Sequence, residues 1–170
     1  KSSMHESLAK LYPFKSNFFQ VGGVKIHYLD QYLGDGIPRG TIVMVHGNPT
    51  WSFLFRHQIS ELSKEYRCIA IDHLGCGLSD KPKEYNYCLE NHISNLRALV
   101  DHLELKQIFF MLHDWGGAIG SGVATAIPER VAGITILNSA AFPSKEIPWR
   151  INFLRAPLLG SFLIKQFNAF

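Results

Sequence analysis

The sequence lacks the features of several common function classes. Its 17 Lys and Arg residues are dispersed along 170 residues, without the dense basic block that nucleic-acid binding needs. No apolar run is long enough to span a bilayer. The start, KSSMHESLAKLYPF, has no apolar core of a secretion signal. We therefore expect no nucleic-acid partner, no transmembrane segment and a cytoplasmic location.

Motifs for metals and cofactors are also missing. The three cysteines, Cys68, Cys76 and Cys88, are an odd number without metal-ligand spacing, and the eight histidines form no HExxH motif. GxxxxGK[ST] does not occur, and GCGLSD lacks the third glycine of a dinucleotide loop. We expect no metal, no cofactor and a reducing compartment. Cys68 lies in an apolar run, which predicts a small core residue.

What the sequence does contain is an alternation of strands and helices. TIVMV and RCIAI are typical of buried strands, and IFFML and GITIL are further strands. FLFRHQISELSKEY, CLENHISNLRALVDHL and WGGAIGSGVATAI predict the helices between them. NFFQV and VKIHYLDQYLG, joined at Gly22 and Gly23, predict a hairpin before the first of these strands. This order predicts an α/β fold with a mostly parallel sheet, flanking helices and right-handed crossovers.

The pattern changes at the end of the last predicted strand. Residues 139–170 contain three prolines and no strand-helix alternation, which favours the beginning of a helical lid. An amphipathic membrane-surface segment is the alternative, because Arg150, Arg155 and Lys165 lie among large apolar residues. We therefore predict a core over residues 1–138 and a lid over residues 139–170.

Three polar, glycine-containing loops follow predicted parallel strands, at residues 46–52, 72–82 and 113–117. Ligands bind at this edge of open parallel sheets, so we expect the loops to converge on one pocket. In HGNPTWS, the glycine allows a sharp turn that directs the next N–H groups at a charge, and Asn48 adds an amide donor. An ordinary Gly-Asn-Pro turn is the alternative.

LHDWGG has the order of a nucleophile elbow: a strand, a sharp turn and a helix rich in small residues. Asp114 would stand at the apex, where the helix N-terminus favours an anion. Asp114 as a plain helix N-cap is the alternative. The cap interpretation does not explain Gly116 and Gly117, so we favour the nucleophile.

HGNPTWSFLFR, DHLGCGLSDKP and LHDWGG together resemble the α/β-hydrolases with an aspartate nucleophile, and specifically the haloalkane dehalogenase clan. The resemblance covers about residues 18–142. Epoxide hydrolases share HDWGG but usually differ at Asn48 and Leu112, and fluoroacetate dehalogenases typically have Arg at Trp115. DHLGCGLSDKP and NSAAFPSKEIPWRI are most similar to the β-lactone decarboxylases of olefin biosynthesis, which convert a β-lactone to a cis-olefin and carbon dioxide.

The resemblance implies roles for individual residues. Asp114 would be the nucleophile, and Asn48 with the Trp115 indole would hold the departing halide or the lactone oxygens. The Trp115 backbone N–H would belong to an oxyanion hole. His46, His113 and Asp80 would be structural. The resemblance also implies a hydrophobic small-molecule substrate and a lactone-forming synthetase as a partner.

The sequence departs from the family at the remaining catalytic groups. No histidine follows His113, and Asn138 stands where one branch of the clan has its acid. The expectation is therefore an N-terminal part of a longer enzyme. A non-catalytic binding module that uses the same fold is the alternative.

Overall fold

A computed structural model describes residues 9–139. The predicted lid at residues 139–170 lies outside this range except for Ser139, so the division at residue 138 stays a prediction. The strands are β1 Ser16–Val21, β2 Val24–Gln31, β3 Thr41–Val45, β4 Arg67–Ile71, β5 Ile108–His113 and β6 Val131–Leu137. The helices are α1 Arg56–Leu62, α2 Leu89–His102 and α3 Gly116–Ala126, with 3-10 turns at Ser52–Phe55 and Pro128–Arg130.

The described strands form one sheet in the order β1-β2-β4-β3-β5-β6. β1 and β2 form the expected antiparallel hairpin, and Gly22 and Gly23 take positive φ angles of 56° and 81° at its turn. β2 is antiparallel to β4, whereas β3, β4, β5 and β6 are parallel to one another. The mostly parallel sheet predicted from the strand-helix alternation is therefore confirmed.

The core lies on both faces of the central strands. All five residues of β3 and the last four of β4, including Cys68, are buried, as continuous apolar runs require. α2 covers one face with Leu96, Leu99 and Val100, and α1 contributes Ile59 to the other. The sheet is thus held between helices, which fixes the carboxyl ends of its parallel strands.

One helix is shorter than its sequence pattern predicts. The pattern predicts a helix over FLFRHQISELSKEY, but the chain forms a 3-10 turn at Ser52–Phe55 and an α-helix only to Leu62. The amides of Glu65 and Tyr66 both donate to the Leu62 carbonyl, which closes a turn into β4. The connection is therefore tighter than a continuous helix would allow. Among residues 9–139, no helix has the length and apolar character needed to cross a membrane.

Candidate active site

Asp114 lies at the turn between β5 and α3. Its φ of +51° is in the left-handed region, which costs a residue other than glycine about 1–3 kcal/mol and is concentrated at functional sites. The amide of Gly117 donates to the Asp114 carbonyl at 2.9 Å, which closes the turn. No side-chain hydrogen bond caps the start of α3, and the Asp114 carboxylate accepts from the Asn48 N–H instead. This arrangement does not support the plain N-cap interpretation of Asp114.

Gly116 allows α3 to begin directly against β3. A Cβ atom at this position would lie 2.1 Å from the carbonyl oxygen of Val45 and 2.7 Å from its carbonyl carbon. Because both obstacles are backbone atoms of a buried strand, a side-chain rotation cannot relieve the overlap. The glycine therefore permits the close approach that brings the elbow to the end of β3.

The loop after β3, residues 46–51, supplies a donor to the Asp114 carboxylate. The backbone N–H of Asn48 donates to Asp114 Oδ1 at 2.9 Å. A Cβ atom on Gly47 would lie 2.1 Å from the same oxygen, so the glycine leaves room for the carboxylate. The Asn48 N–H is therefore the donor of this loop that meets the Asp114 carboxylate. We refer to residues 46–51 as the β3 loop.

The three loops meet at a cavity of about 290 Å³. Its walls include Asn48 from the β3 loop, Trp115 from the elbow and His73 with Cys76 from the loop after β4. Further lining residues are Gly47, Leu74, Gly75, Tyr87, His92 and Ile119. The Trp115 side chain is 51% exposed. The three loops thus converge, and Asn48 and Trp115 line the cavity. Asp114 is not among the lining residues, but it contacts the Asn48 N–H and directly precedes Trp115.

A buried carboxylate that the sequence analysis did not single out organises the loops. Asp72, directly after β4, is fully buried and accepts hydrogen bonds from the Ser52 N–H, the Leu78 N–H and the His27 ring, at 2.8, 2.8 and 2.9 Å. Burial alone would raise the pKa of Asp72. The hydrogen bonds outweigh burial and lower that pKa below its usual range. Asp72 therefore joins two of the site loops to β2 as an ionised group.

Three histidines pack against one another next to the cavity, and two of them, His73 and His92, line it. The His46 and His73 ring centroids are 4.4 Å apart, and those of His73 and His92 are 5.3 Å apart. Burial lowers the pKa of all three, most strongly that of His73, whose neighbours His46 and His92 add to the effect. His46 is structural in geometry, as expected, but His73 and His92 were not predicted. A clue was available, because His73 is the second residue after a buried strand.

The free energy of unfolding should fall as the pH drops below about 6.5, where histidines of the unfolded chain become protonated. The folded protein keeps His46 and His73 neutral, so the unfolded state binds more protons and gains stability. Each group should contribute a loss of up to about 1.4 kcal/mol per pH unit. Urea denaturation at pH 7.5 and 5.5 measures the effect. His73→Gln should reduce the pH dependence of the free energy of unfolding. His57 is exposed on α1, so His57→Gln should leave that dependence unchanged. Equal stability of the wild-type protein at both pH values contradicts the inference that His46 and His73 stay neutral in the folded state.

The other polar residues considered in the sequence lie in different settings. His113, the last residue of β5, has a buried Nδ1 atom without a hydrogen-bond partner among the described residues. Asp80 fixes its loop, since its carboxylate accepts from the Lys25 N–H at 2.7 Å and its own N–H donates to the Lys25 carbonyl at 3.0 Å. Asn138 follows β6 with a φ of +44°. The Ser139 hydroxyl donates to the Asp114 carbonyl at 2.5 Å. Among residues 9–139, no group of three or more His, Cys, Asp or Glu residues has the arrangement to hold a metal.

The sheet order, the elbow and the facing backbone donor are those of an α/β-hydrolase. The α/β-hydrolase fold family matches residues 40–158. The chain belongs to this family.

Individual relatives narrow the comparison. The chain is 46% identical over 169 residues to the cis-3-alkyl-4-alkyloxetan-2-one decarboxylase of Shewanella oneidensis, a match that covers 96% of this chain and 52% of the relative. It is 42% identical over 135 residues to haloalkane dehalogenase 2 of Mycobacterium bovis, with coverage of 79% and 46%. The chain therefore spans about half the length of the curated relatives it matches.

A solved structure supports the similarity to haloalkane dehalogenases. The haloalkane dehalogenase of Agrobacterium tumefaciens matches with a TM-score of 0.74 and 33% identity over 91% of this chain and 53% of that one. The resemblance to the haloalkane dehalogenase clan, based on the three loop motifs, is confirmed, as is the resemblance to the β-lactone decarboxylases, based on DHLGCGLSDKP and NSAAFPSKEIPWRI.

Proposed function

We propose that this chain supplies the nucleophile of an enzyme that decarboxylates β-lactones to cis-olefins. One observation carries the proposal: the Asp114 carboxylate stands at a strand-helix elbow and accepts from the Asn48 N–H at 2.9 Å, and its neighbours Asn48 and Trp115 line a cavity. The relative from Shewanella oneidensis, a decarboxylase of cis-3-alkyl-4-alkyloxetan-2-ones, supports this substrate class. Oxetan-2-ones are β-lactones, and two alkyl substituents make such a substrate hydrophobic.

A carboxylate suits this chemistry because it is a nucleophile without prior deprotonation, whereas serine requires a base. Asp114 would attack the alkyl-substituted sp³ ring carbon that is bonded to the ring oxygen, not the carbonyl carbon. The carbon-oxygen bond then breaks, giving an ester to Asp114 and a free carboxylate on the opened substrate. Loss of carbon dioxide supplies the electron pair of the new double bond and expels the Asp114 carboxylate.

This sequence of steps accounts for the olefin geometry. Attack from the side opposite the ring oxygen inverts the reacting carbon, and an anti elimination follows. Together these amount to a syn loss of carbon dioxide, so a cis-disubstituted lactone gives a cis-olefin. The Asn48 and Trp115 side chains would hold the substrate oxygens. The backbone N–H groups of the same two residues would stabilise the oxygen of the Asp114 ester.

Haloalkane dehalogenation is the second candidate, favoured by the 42% identity to haloalkane dehalogenase 2 of Mycobacterium bovis. Here Asp114 would displace halide from an alkyl carbon, and Asn48 with the Trp115 indole N–H would bind the departing anion. The two reactions share the first covalent step. They differ in the fate of the ester, because the dehalogenase ester must be hydrolysed.

The two candidates are separated by supplying the full-length protein with a long-chain cis-β-lactone and, separately, with a 1-bromoalkane. We expect olefin in the first reaction, measured by gas chromatography and mass spectrometry, and no bromide in the second. Bromide release without olefin formation contradicts the decarboxylase proposal and supports the dehalogenase. Release of neither product contradicts both.

The wider setting is inferred from the same resemblance. We place the reaction in olefin biosynthesis, in the cytoplasm, next to a lactone-forming synthetase. Copurification of the full-length protein with such a synthetase tests the partnership, with the separately expressed haloalkane dehalogenase of Agrobacterium tumefaciens as a control that should not copurify.

A further inference from the structure

We infer that His73 is a positioning residue that fixes the β3 loop so that the Asn48 N–H meets the Asp114 carboxylate. The inference deepens the proposed function and rests on it, because it concerns the nucleophile assigned there. His73 itself follows β4, whereas the loop that it would fix follows β3. Its effect would therefore pass from one strand end to its neighbour.

Two hydrogen bonds join His73 to the first residue of the β3 loop. The His73 backbone N–H donates to His46 Nε2 at 3.0 Å, and the His73 ring Nε2 donates to the His46 carbonyl at 3.1 Å. Both residues are buried, with exposed fractions of 4% and 0%. Such paired bonds, shielded from water, hold both the backbone and the ring of His46.

The bonding pattern fixes the tautomer of each ring. The His46 carbonyl can only accept, so His73 carries a proton on Nε2. His46 Nε2 accepts from the His73 amide, so His46 carries its proton on Nδ1 and donates it to the Gly47 carbonyl at 2.6 Å. Burial favours the neutral form of both rings. The chain of donors thus runs in one direction, from His73 to His46 to Gly47.

The far end of the β3 loop is held by the residue before His73. The Asp72 carboxylate accepts from the Ser52 N–H at 2.8 Å, directly after the loop. The consecutive residues Asp72 and His73 therefore form hydrogen bonds to the chain at the two ends of the β3 loop. Between these ends stands the amide of Asn48, a residue whose own side chain is exposed. The direction of the Asn48 N–H therefore depends on the backbone on either side of Asn48.

We expect a large effect on the catalytic rate, because a donor stabilises an anion only when it lies at the right distance and angle. A displacement of about 1 Å at a reacting group can lower the rate about 100-fold. His73→Leu removes the ring donor and introduces an apolar side chain of similar bulk. His73→Gln retains an N–H donor at nearly the position of Nε2, so it is the conservative replacement.

We expect His73→Leu to lower kcat of the full-length protein on a long-chain cis-β-lactone about tenfold or more, with KM within about twofold. His73→Gln should keep kcat within about threefold. Amide hydrogen exchange of residues 46–48, followed by mass spectrometry, should be about tenfold or more faster in the leucine variant and near the wild-type rate in the glutamine variant.

Val100→Ala provides the control for a loss of stability alone. Val100 is buried in α2, two turns from His92 and away from the β3 loop. This variant should lower Tm but leave kcat and exchange of residues 46–48 unchanged. An unchanged kcat in His73→Leu, or a kcat loss that His73→Gln does not relieve, overturns the inference.

The exchange measurement separates this inference from the proposed function. If the wild-type protein forms neither olefin nor bromide, the proposed function fails. The exchange rates of residues 46–48 then decide separately whether His73 fixes the β3 loop. Unchanged rates in His73→Leu would overturn the inference about His73.

Discussion

Asp114→Asn should lower turnover of the preferred substrate by about 10⁶-fold, the size of loss seen on removing a catalytic nucleophile. The amide is nearly the same size as the carboxylate, and its oxygen retains the acceptor that the Asn48 N–H binds at 2.9 Å. The fold should therefore persist while the nucleophile is lost. Steady-state rates and circular dichroism of the full-length protein measure the two quantities.

The same substitution should prevent covalent capture of the enzyme. With wild-type protein, rapid quenching during turnover should show by mass spectrometry an adduct on the peptide that contains Asp114. The variant should show none. Asp101→Asn, an exposed residue of α2 paired with Arg97 and Arg130, is the matched control and should retain both the adduct and the rate. A surviving adduct in Asp114→Asn would mean that another residue is the nucleophile.

The elements of the fold could be predicted because burial leaves a local record in the sequence. β3 and β4 are continuous apolar runs, and both are buried on two faces. In α2, Leu96 and Val100 are apolar residues four positions apart, so they share one face of the helix, and both are buried. The order of strands in the sheet had no such record, since it depends on which strands pair rather than on any one segment.

The site was predictable in part for the same reason. Asp114 stands in a local motif, and its strand-turn-helix context could be read from neighbouring residues. The hydrogen bonds from Ser52 to Asp72 and between His73 and His46 join residues 20 and 27 positions apart, and nothing within either segment indicates them. His92 and Asn95 were similarly hidden: they are polar residues on the buried side of α2, where a hydrophobic pattern does not include them.

The contact between Asp114 and the β3 loop also depends on glycines whose obstacles lie far away in sequence. Gly116 approaches Val45 and Gly47 approaches Asp114, so each is required by a residue more than 60 positions distant. The motif identifies these glycines as unusual. Only the packed structure shows which atoms would be struck by a side chain, and therefore which substitution is costly.

Gly116→Ala should destabilise the protein by about 3 kcal/mol or more, because overpacking without room for relaxation is at the upper end of its usual cost. Its new Cβ would lie 2.1 Å from the Val45 carbonyl oxygen. Alanine is otherwise favoured over glycine in a helix by about 1 kcal/mol, so a net loss must come from this overlap. Relief requires α3 to move away from β3, which would also shift Asp114. Chemical denaturation and the rate of olefin formation measure the two effects.

Gly122→Ala on the same helix is the matched comparison. A Cβ atom there would lie 2.5 Å from Cδ1 and 2.9 Å from Cγ1 of Ile93, so the obstacle is a side chain that can repack rather than the backbone of a strand. This variant should lose less than about 1 kcal/mol, because the helix preference for alanine offsets a small repacking cost. It should also keep the wild-type rate. Equal stability of the two variants would mean that the backbone approach of Gly116 to Val45 does not limit the position of the elbow. The position of Asp114 would then depend on the Asn48 N–H and on the hydrogen bonds that hold the β3 loop.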